Sequence, residues 1–179
     1  QYYTSVGAKE FELTFELGKK NGLAKYWYAN GKPEKEGLLC EGKKCGEWKF
    51  YRNNGNLEMQ GNFENDKQHG SWTNFFDNGK PESNGYYNNG LSDSTWTFFY
   101  ITGEPWRKGN FKDDLKTGHW QAFYENGKLF YEGEFVAGKE EGIWKSFYEN
   151  GNKKDEGTYT KGIMDKQWQG WHENGAIKY

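Results

Sequence analysis

Glycine returns every 24 residues in this chain, and that spacing restricts the fold more than any other feature. Gly22, Gly46, Gly70, Gly118 and Gly142, with Ser94 and Lys166 at the equivalent places, align residues 22–179 without an insertion. With that residue as position 1, position 3 reads Ala24, Trp48, Trp72, Trp96, Trp120, Trp144 and Trp168, and position 6 reads Trp27, Tyr51, Phe75, Phe99, Phe123, Phe147 and Trp171. Position 10 is Gly in every copy, preceded by Asn at Asn30, Asn54, Asn78, Asn126, Asn150 and Asn174. A second Gly column at position 16 (Gly37, Gly61, Gly85, Gly109, Gly133, Gly157) is followed at position 18 by Leu39, Phe63, Tyr87, Phe111, Phe135 and Tyr159. Residues 1–21 fit as a partial copy, with Gly7, Phe15 and Gly18 in register. A fixed period of this length signals a repeat architecture, in which each unit buries its apolar surface against its neighbours. The expectation is a single array over residues 1–179, with copies starting at 22, 46, 70, 94, 118, 142 and 166.

Asn-Gly between aromatic, alternating segments predicts a β-hairpin, because a two-residue type I′ turn needs positive φ at both central residues. A second turn at positions 20 and 21, seen as Asn89-Gly90, Ala137-Gly138 and Lys161-Gly162, joins each hairpin to the next. The fold class that follows is all-β, an antiparallel meander of hairpins with little or no helix. With two-residue loops at both turns, position 3 falls opposite position 16, so each indole faces a strand glycine whose bare backbone it can cover. Positions 3, 7, 12, 16 and 18 then share the main apolar face (Trp120, Tyr124, Leu129, Gly133 and Phe135), and positions 4, 6, 13 and 15 the other (Gln121, Phe123, Phe130 and Glu132). A three-residue loop with a G1 bulge would shift these pairs by one. A single sheet needs something to cover its apolar face, so this architecture must curl, dimerise or bind.

The 24 Lys and Arg residues against 26 Asp and Glu, mixed along the chain, leave no basic stripe for nucleic acid or anionic lipid. No apolar run approaches the roughly 18 residues of a membrane span. The chain starts at Gln1 rather than Met, which fits either a trimmed chain or a mature form after removal of an export signal. An exported bacterial setting, periplasmic or cell-surface, is favoured over the cytoplasm.

Chemistry is sparse. His69, His119 and His172 stand at unlike repeat positions and form neither a metal cluster nor a recurring acid-base site. The paired acids Asp113-Asp114 and Glu140-Glu141 lie in or beside turns, where solvated loop charge explains them. No catalytic residue, metal or cofactor is expected. Cys40 and Cys45 flank a turn in one copy: a four-residue loop would let them form a disulfide, whereas a two-residue loop would leave them diagonal and free, and incidental thiols are the simpler reading.

Gly118-His-Trp-Gln-Ala-Phe-Tyr-Glu-Asn-Gly127 and Gly142-Ile-Trp-Lys-Ser-Phe-Tyr-Glu-Asn-Gly151 resemble the MORN-repeat variant of the YwqK-type antitoxin family. The resemblance covers essentially the whole chain. It implies an elongated sheet of stacked hairpins acting as a protein-binding scaffold, some members being antitoxins or immunity proteins against secreted toxins. The fourth copy departs from the pattern, with Ser94 for Gly, Ile101-Thr102-Gly103 for the turn, and Trp106 where most others have Glu or Lys. Gly46-Glu-Trp-Lys-Phe-Tyr51 is also similar to choline-binding and glucan-binding repeats, which makes a cell-wall or carbohydrate-binding role the alternative. Those repeats are usually shorter.

One column varies in a way packing does not demand. Position 13 runs from Glu34, Glu58 and Glu82 through Trp106 and Phe130 to Lys154 and Lys178. Counted outward from two-residue turns, Phe99 pairs with Trp106 and Phe123 with Phe130, giving four rings on a mostly polar face, flanked by acid on one side and base on the other. Such a patch marks an interface or a site covered by a neighbouring part of a coiled sheet. The partner expected there is a protein, either a toxin or a second copy, with a glycan as the alternative.

Overall fold

The structure, a computed structural model, describes the backbone of residues 2–3 and 9–179 and the side chains of residues 9–179 apart from Lys166. Gly7 lies outside the described residues. The strands are β1 (Tyr2–Tyr3), β2 (Lys9–Glu16), β3 (Lys19–Trp27), β4 (Pro33–Cys40), β5 (Lys43–Tyr51), β6 (Leu57–Glu64), β7 (Lys67–Phe75), β8 (Pro81–Asn88), β9 (Leu91–Phe99), β10 (Pro105–Lys112), β11 (Leu115–Phe123), β12 (Leu129–Val136), β13 (Lys139–Phe147), β14 (Lys153–Thr160) and β15 (Ile163–Gly170). Their order in the sheet is their order in the chain, and the described residues contain no helix. The all-β meander is thus as expected. Contacts cluster into two compact units, Gln1–Leu91 and Ser92–Tyr179.

The two turns have different physics, and one differs from the expectation. At positions 20 and 21 both residues have positive φ, as in Glu41 (51°) with Gly42 (89°) and Ala137 (48°) with Gly138 (80°), so these are the two-residue turns whose twist matches the strands. At the Asn-Gly turn the glycine alone is left-handed, as at Gly127 (80°). There the Gly127 N–H donates to the Tyr124 carbonyl (2.9 Å) and the Tyr124 N–H to the Lys128 carbonyl (2.8 Å), a three-residue loop closed by a G1 bulge. The asparagine serves a different purpose from the one expected. Its Oδ1 accepts the N–H two residues on, as Asn126 does from Lys128 (3.0 Å), fixing the loop without adopting positive φ itself.

The longer loop shifts the pairing by one residue, and a bulge at position 13 shifts it back. Phe123 pairs with Leu129 while Ala122 pairs with Tyr131, leaving Phe130 as the extra residue. The same occurs at Glu58 and Trp106. Beyond the bulge the expected register holds: Trp48 lies opposite Gly61, Trp72 opposite Gly85, Trp120 opposite Gly133 and Trp144 opposite Gly157. The face assignment is therefore corrected at two columns. Positions 5 and 14, not 7 and 12, share the tryptophan face with 3, 16 and 18, as the burial of both Trp120 and Ala122 shows.

Each indole covers the glycine of the preceding hairpin. A Cβ built on Gly37 would lie 2.3 Å from Trp48, one on Gly109 2.1 Å from Trp120, and one on Gly133 2.2 Å from Trp144. Only glycine allows that approach. The position-18 rings stand edge-on between successive indoles, as in Trp120–Phe135 (5.9 Å, 75°) and Phe135–Trp144 (5.1 Å, 89°), which is the favoured geometry for ring quadrupoles. Within the first unit the row runs Trp48, Phe63, Trp72 and Tyr87. Within the second it runs from Trp96 to Trp168. Trp48, Trp72 and Trp120 are 1%, 2% and 1% exposed, so neighbouring side chains of the chain itself cover the aromatic face at these positions.

Candidate functional site

The structure places the four rings singled out from the sequence at the ends of two hairpins, with partners other than those expected. Phe99 pairs with Pro105 and Phe123 with Leu129, because Trp106 and Phe130 are the bulge residues. The Trp106 ring lies 6.3 Å from Tyr100, and Phe130 lies 4.8 Å from Tyr124. These tyrosines, at position 7, tie hairpin to hairpin: Tyr100 donates its hydroxyl to the Phe123 carbonyl and Tyr124 to the Phe147 carbonyl, both at 2.8 Å. Burial holds both phenols above their ordinary range. Sequence reasoning missed this role, although the column Tyr28, Tyr100, Tyr124 and Tyr148 was its signal.

Trp106 remains 39% exposed. The guanidinium of Arg107 stacks 4.3 Å from the Trp106 ring and 4.4 Å from Phe98. The bulge leaves this indole exposed in the copy that departs most from the repeat, while Arg107, at position 14, is half-buried on the tryptophan face.

A second feature lies on the tryptophan face of the second unit. A groove of about 450 Å³ is lined by Tyr131, Trp144, Tyr159 and Trp168, with Lys116, Glu140, Asp155 and Tyr179 among its other walls. Asp155 accepts hydrogen bonds from Ser146 Oγ (3.1 Å) and from the Tyr179 hydroxyl (2.8 Å). That second bond is the main cause holding the Tyr179 phenol above its ordinary range. The indole N–H groups of Trp48, Trp72 and Trp120 donate to the carbonyls of Leu38, Asn62 and Asn110 (2.8–3.0 Å). Those of Trp144 and Trp168, in the groove, are buried without a partner.

Two lysines at position 23 sit on the aromatic floor. Lys44 Nζ lies 4.7 Å from the Phe63 ring, 5.3 Å from Trp48 and 5.4 Å from Phe50. Lys116 Nζ lies 4.7 Å from both Trp120 and Phe135. Burial lowers the pKa of each, helped by Lys35 and Arg107 respectively and opposed by Asp66 and Glu140.

Cys40 and Cys45 form a disulfide across a two-residue turn, with Cα atoms 5.8 Å apart. This corrects the expectation that a two-residue loop would leave them free. They are diagonal neighbours, Cys40 pairing with Lys43 and Cys45 with Leu38, and the strong twist beside a tight turn brings one diagonal within bridging range. His119 lies between Glu132 (3.3 Å) and Glu134 (3.1 Å). Among the described residues no three His, Cys, Asp or Glu side chains are grouped to hold a metal, and no helix is long and apolar enough to cross a membrane.

A family profile described as "MORN repeat variant" matches residues 20–40, 44–65, 68–89, 116–137 and 140–161, more than half of the chain, and skips the fourth copy. A comparison with curated protein sequences gives no match. Among solved structures the chain is similar to part of the GtfA/B complex bound to UDP and GlcNAc, with 10% identity over 69% of this chain and 24% of that one, at a TM-score of 0.27. It is also similar to part of TarM (16% identity, 74% and 21% coverage, TM-score 0.29). A TarM mutant from S. aureus in complex with fondaparinux, α-GlcNAc-glycerol and UDP gives 15% identity, 74% and 21% coverage, and a TM-score of 0.30. The chain spans about a fifth to a quarter of the length of these proteins.

Proposed function

The chain belongs to the MORN repeat variant family, whose repeats are generally associated with protein or membrane binding, and from that premise we propose that it is a non-enzymatic protein-binding scaffold. In its finer form the proposal is an antitoxin or immunity-type protein that neutralises a toxin by covering its active site. The observation that carries the reading is Trp106, exposed at a bulge with Arg107 stacked on it. Trp and Arg are the residue types that contribute most at interface centres, and a stacked guanidinium keeps donors free for a partner's carboxylates. The absence of catalysis belongs to the same proposal, since the histidines are dispersed and no nucleophile, base and orienting group recur together.

The test is affinity capture from the source cells, followed by calorimetry with the purified partner. Trp106→Ala is expected to weaken binding by about 2 kcal/mol while the melting temperature hardly moves. A large fall in melting temperature with unchanged association would assign the ring to packing and end the interface reading. A carbohydrate-binding reading stands second, favoured by the aromatic floor and paired acids of the groove. Binding to a glycan array, lost on Trp144→Ala, would support it over the first.

A further inference from the structure

We propose that the groove around Trp144 receives a lysine side chain of the protein partner, its ammonium seated over Trp144 and Tyr159 beside Glu140 and Asp155. The proposal deepens the scaffold reading and rests on it for the identity of the lysine's carrier.

The repeat itself shows what this floor accepts. In two copies the chain places its own ammonium over the position-3 indole and the position-18 ring: Lys44 over Trp48 and Phe63, Lys116 over Trp120 and Phe135. The next copy keeps the floor. Trp144 and Tyr159 lie 5.9 Å apart at 78°, against 5.9 Å and 75° for Trp120 and Phe135. What changes is the residue at position 23, where Glu140 stands in place of lysine, and at position 14, where Asp155 adds a second carboxylate to the wall. The aromatic surface that attracts a cation is thus retained while the charge beside it is reversed. A cation from outside gains both the ring quadrupoles and the carboxylates.

Lysine fits better than arginine. The seat is occupied by lysine in both internal examples, whereas Arg107 stacks elsewhere, over Phe98 and the bulge residue Trp106. Lys116, on the groove wall, is already engaged with its own two rings. The groove, at about 450 Å³, is within the range that holds small ligands and admits an extended side chain.

The test uses the full chain labelled with ¹⁵N and the indole N–H signals of Trp144 and Trp168, assigned by single Trp→Phe variants. The probes are Nα-acetyl-lysine methylamide and its uncharged analogue Nα-acetyl-norleucine methylamide. The lysine probe is expected to shift the Trp144 signal saturably, with a dissociation constant on the order of millimolar, weakening as salt is raised. The norleucine probe is expected to leave it in place. Glu140→Lys, which fills the seat from within as Lys44 and Lys116 do, is expected to weaken the lysine probe about tenfold or more without lowering the melting temperature, and Glu140→Gln to fall between. An unmoved Trp144 signal, equal response to both probes, or unchanged binding by Glu140→Lys would overturn the proposal. Preference for a neutral sugar or for acetyl-arginine methylamide would overturn it as well. The outcomes separate the two readings: a captured partner that binds Glu140→Lys as tightly as the parent ends the lysine seat and leaves the scaffold. A lysine probe that binds where no protein partner does ends the scaffold and leaves the seat.

Discussion

The cell around Trp48 and the cell around Trp144 are built on one plan and finished differently. Each has an indole pressed onto the glycine of the strand before it, Gly37 in one and Gly133 in the other. Trp144 has edge-on rings at both sides, Phe135 and Tyr159, and Trp48 has edge-on Phe63 at one side with Leu39 packed in the same cluster. Around Trp48 the cell is closed: Lys44 covers the rings, the indole N–H is bonded to Leu38, and the side chain is 1% exposed. Around Trp144 the exposure rises to 9%, the indole N–H has no partner, and Glu140 replaces the lysine at the edge of a groove. The repeat scaffold needs the glycine, the indole and the edge rings. The residue above them is free to close the cell or open it.

The largest expected effect breaks the comparison at its centre. Trp48→Ala deletes a ring with contacts on every side and leaves Lys44 over a void, so it is expected to cost about 4 kcal/mol, toward the upper end for buried aromatics. Trp144→Ala, beside a groove that can relax, is expected to cost nearer 3 kcal/mol. Urea unfolding midpoints at constant m-value measure both. Equal losses would show that the groove does not loosen its indole.

Glycine replacement probes what the cells share. An alanine Cβ at Gly37 or Gly133 would stand 2.3 or 2.2 Å from the indole, so ring or strand must move, and each change is expected to cost about 2 kcal/mol. If Gly133→Ala is tolerated and Gly37→Ala is not, the Trp144 ring has room that its contacts do not suggest.

Exchanging the covering charges sharpens the comparison. Lys44→Glu places a carboxylate against ring faces and is expected to lose about 1 kcal/mol, whereas Glu140→Lys gains about 0.5 kcal/mol by restoring the cation to its seat. A loss for Glu140→Lys similar to that for Lys44→Glu would mean that the two floors are not equivalent.

Most of this plan was legible because it repeats. The Gly and Trp columns predicted the meander and the Trp–Gly register, and that register survived a wrong loop because two one-residue shifts cancel. The G1 bulge at Gly127 displaces the pairing and the bulge at Phe130 restores it. Asn-Gly is compatible with both loops, since either needs a left-handed glycine, so the sequence alone does not separate them. Everything near the turn was misplaced for that reason: Tyr124 and Leu129 were assigned to the wrong face, and Phe123 and Phe130 to each other. The lysine seats were hidden differently. Lys44 and Lys116 look like ordinary strand charges until the register shows which rings lie beneath them. The disulfide escaped because a diagonal separation of 5.8 Å depends on local twist rather than on residue count.

The smallest effect concerns pH. Tyr51 donates its hydroxyl to Glu36 Oε1 (2.9 Å), and burial, then that hydrogen bond, push the phenol up to about 12 from its ordinary 10.0. The fold favours the neutral phenol. Its contribution to stability is therefore complete below about pH 10, the unfolded value, and is lost as pH rises through about 12, because the unfolded chain ionises first. Tyr124 in the second unit is also raised by burial, but its hydroxyl bonds a backbone carbonyl rather than a carboxylate. The Tyr51–Glu36 pair can accordingly be isolated by substitution. Tyr51→Phe is expected to cost about 0.5–1 kcal/mol at pH 8, the worth of one hydrogen bond, and the gap to the parent is expected to narrow between pH 10 and pH 12. Urea midpoints for both proteins at pH 8 and pH 11 measure it. A gap that stays constant or widens would show that this phenol does not titrate late, and that burial around Tyr51 is no tighter than around Tyr124.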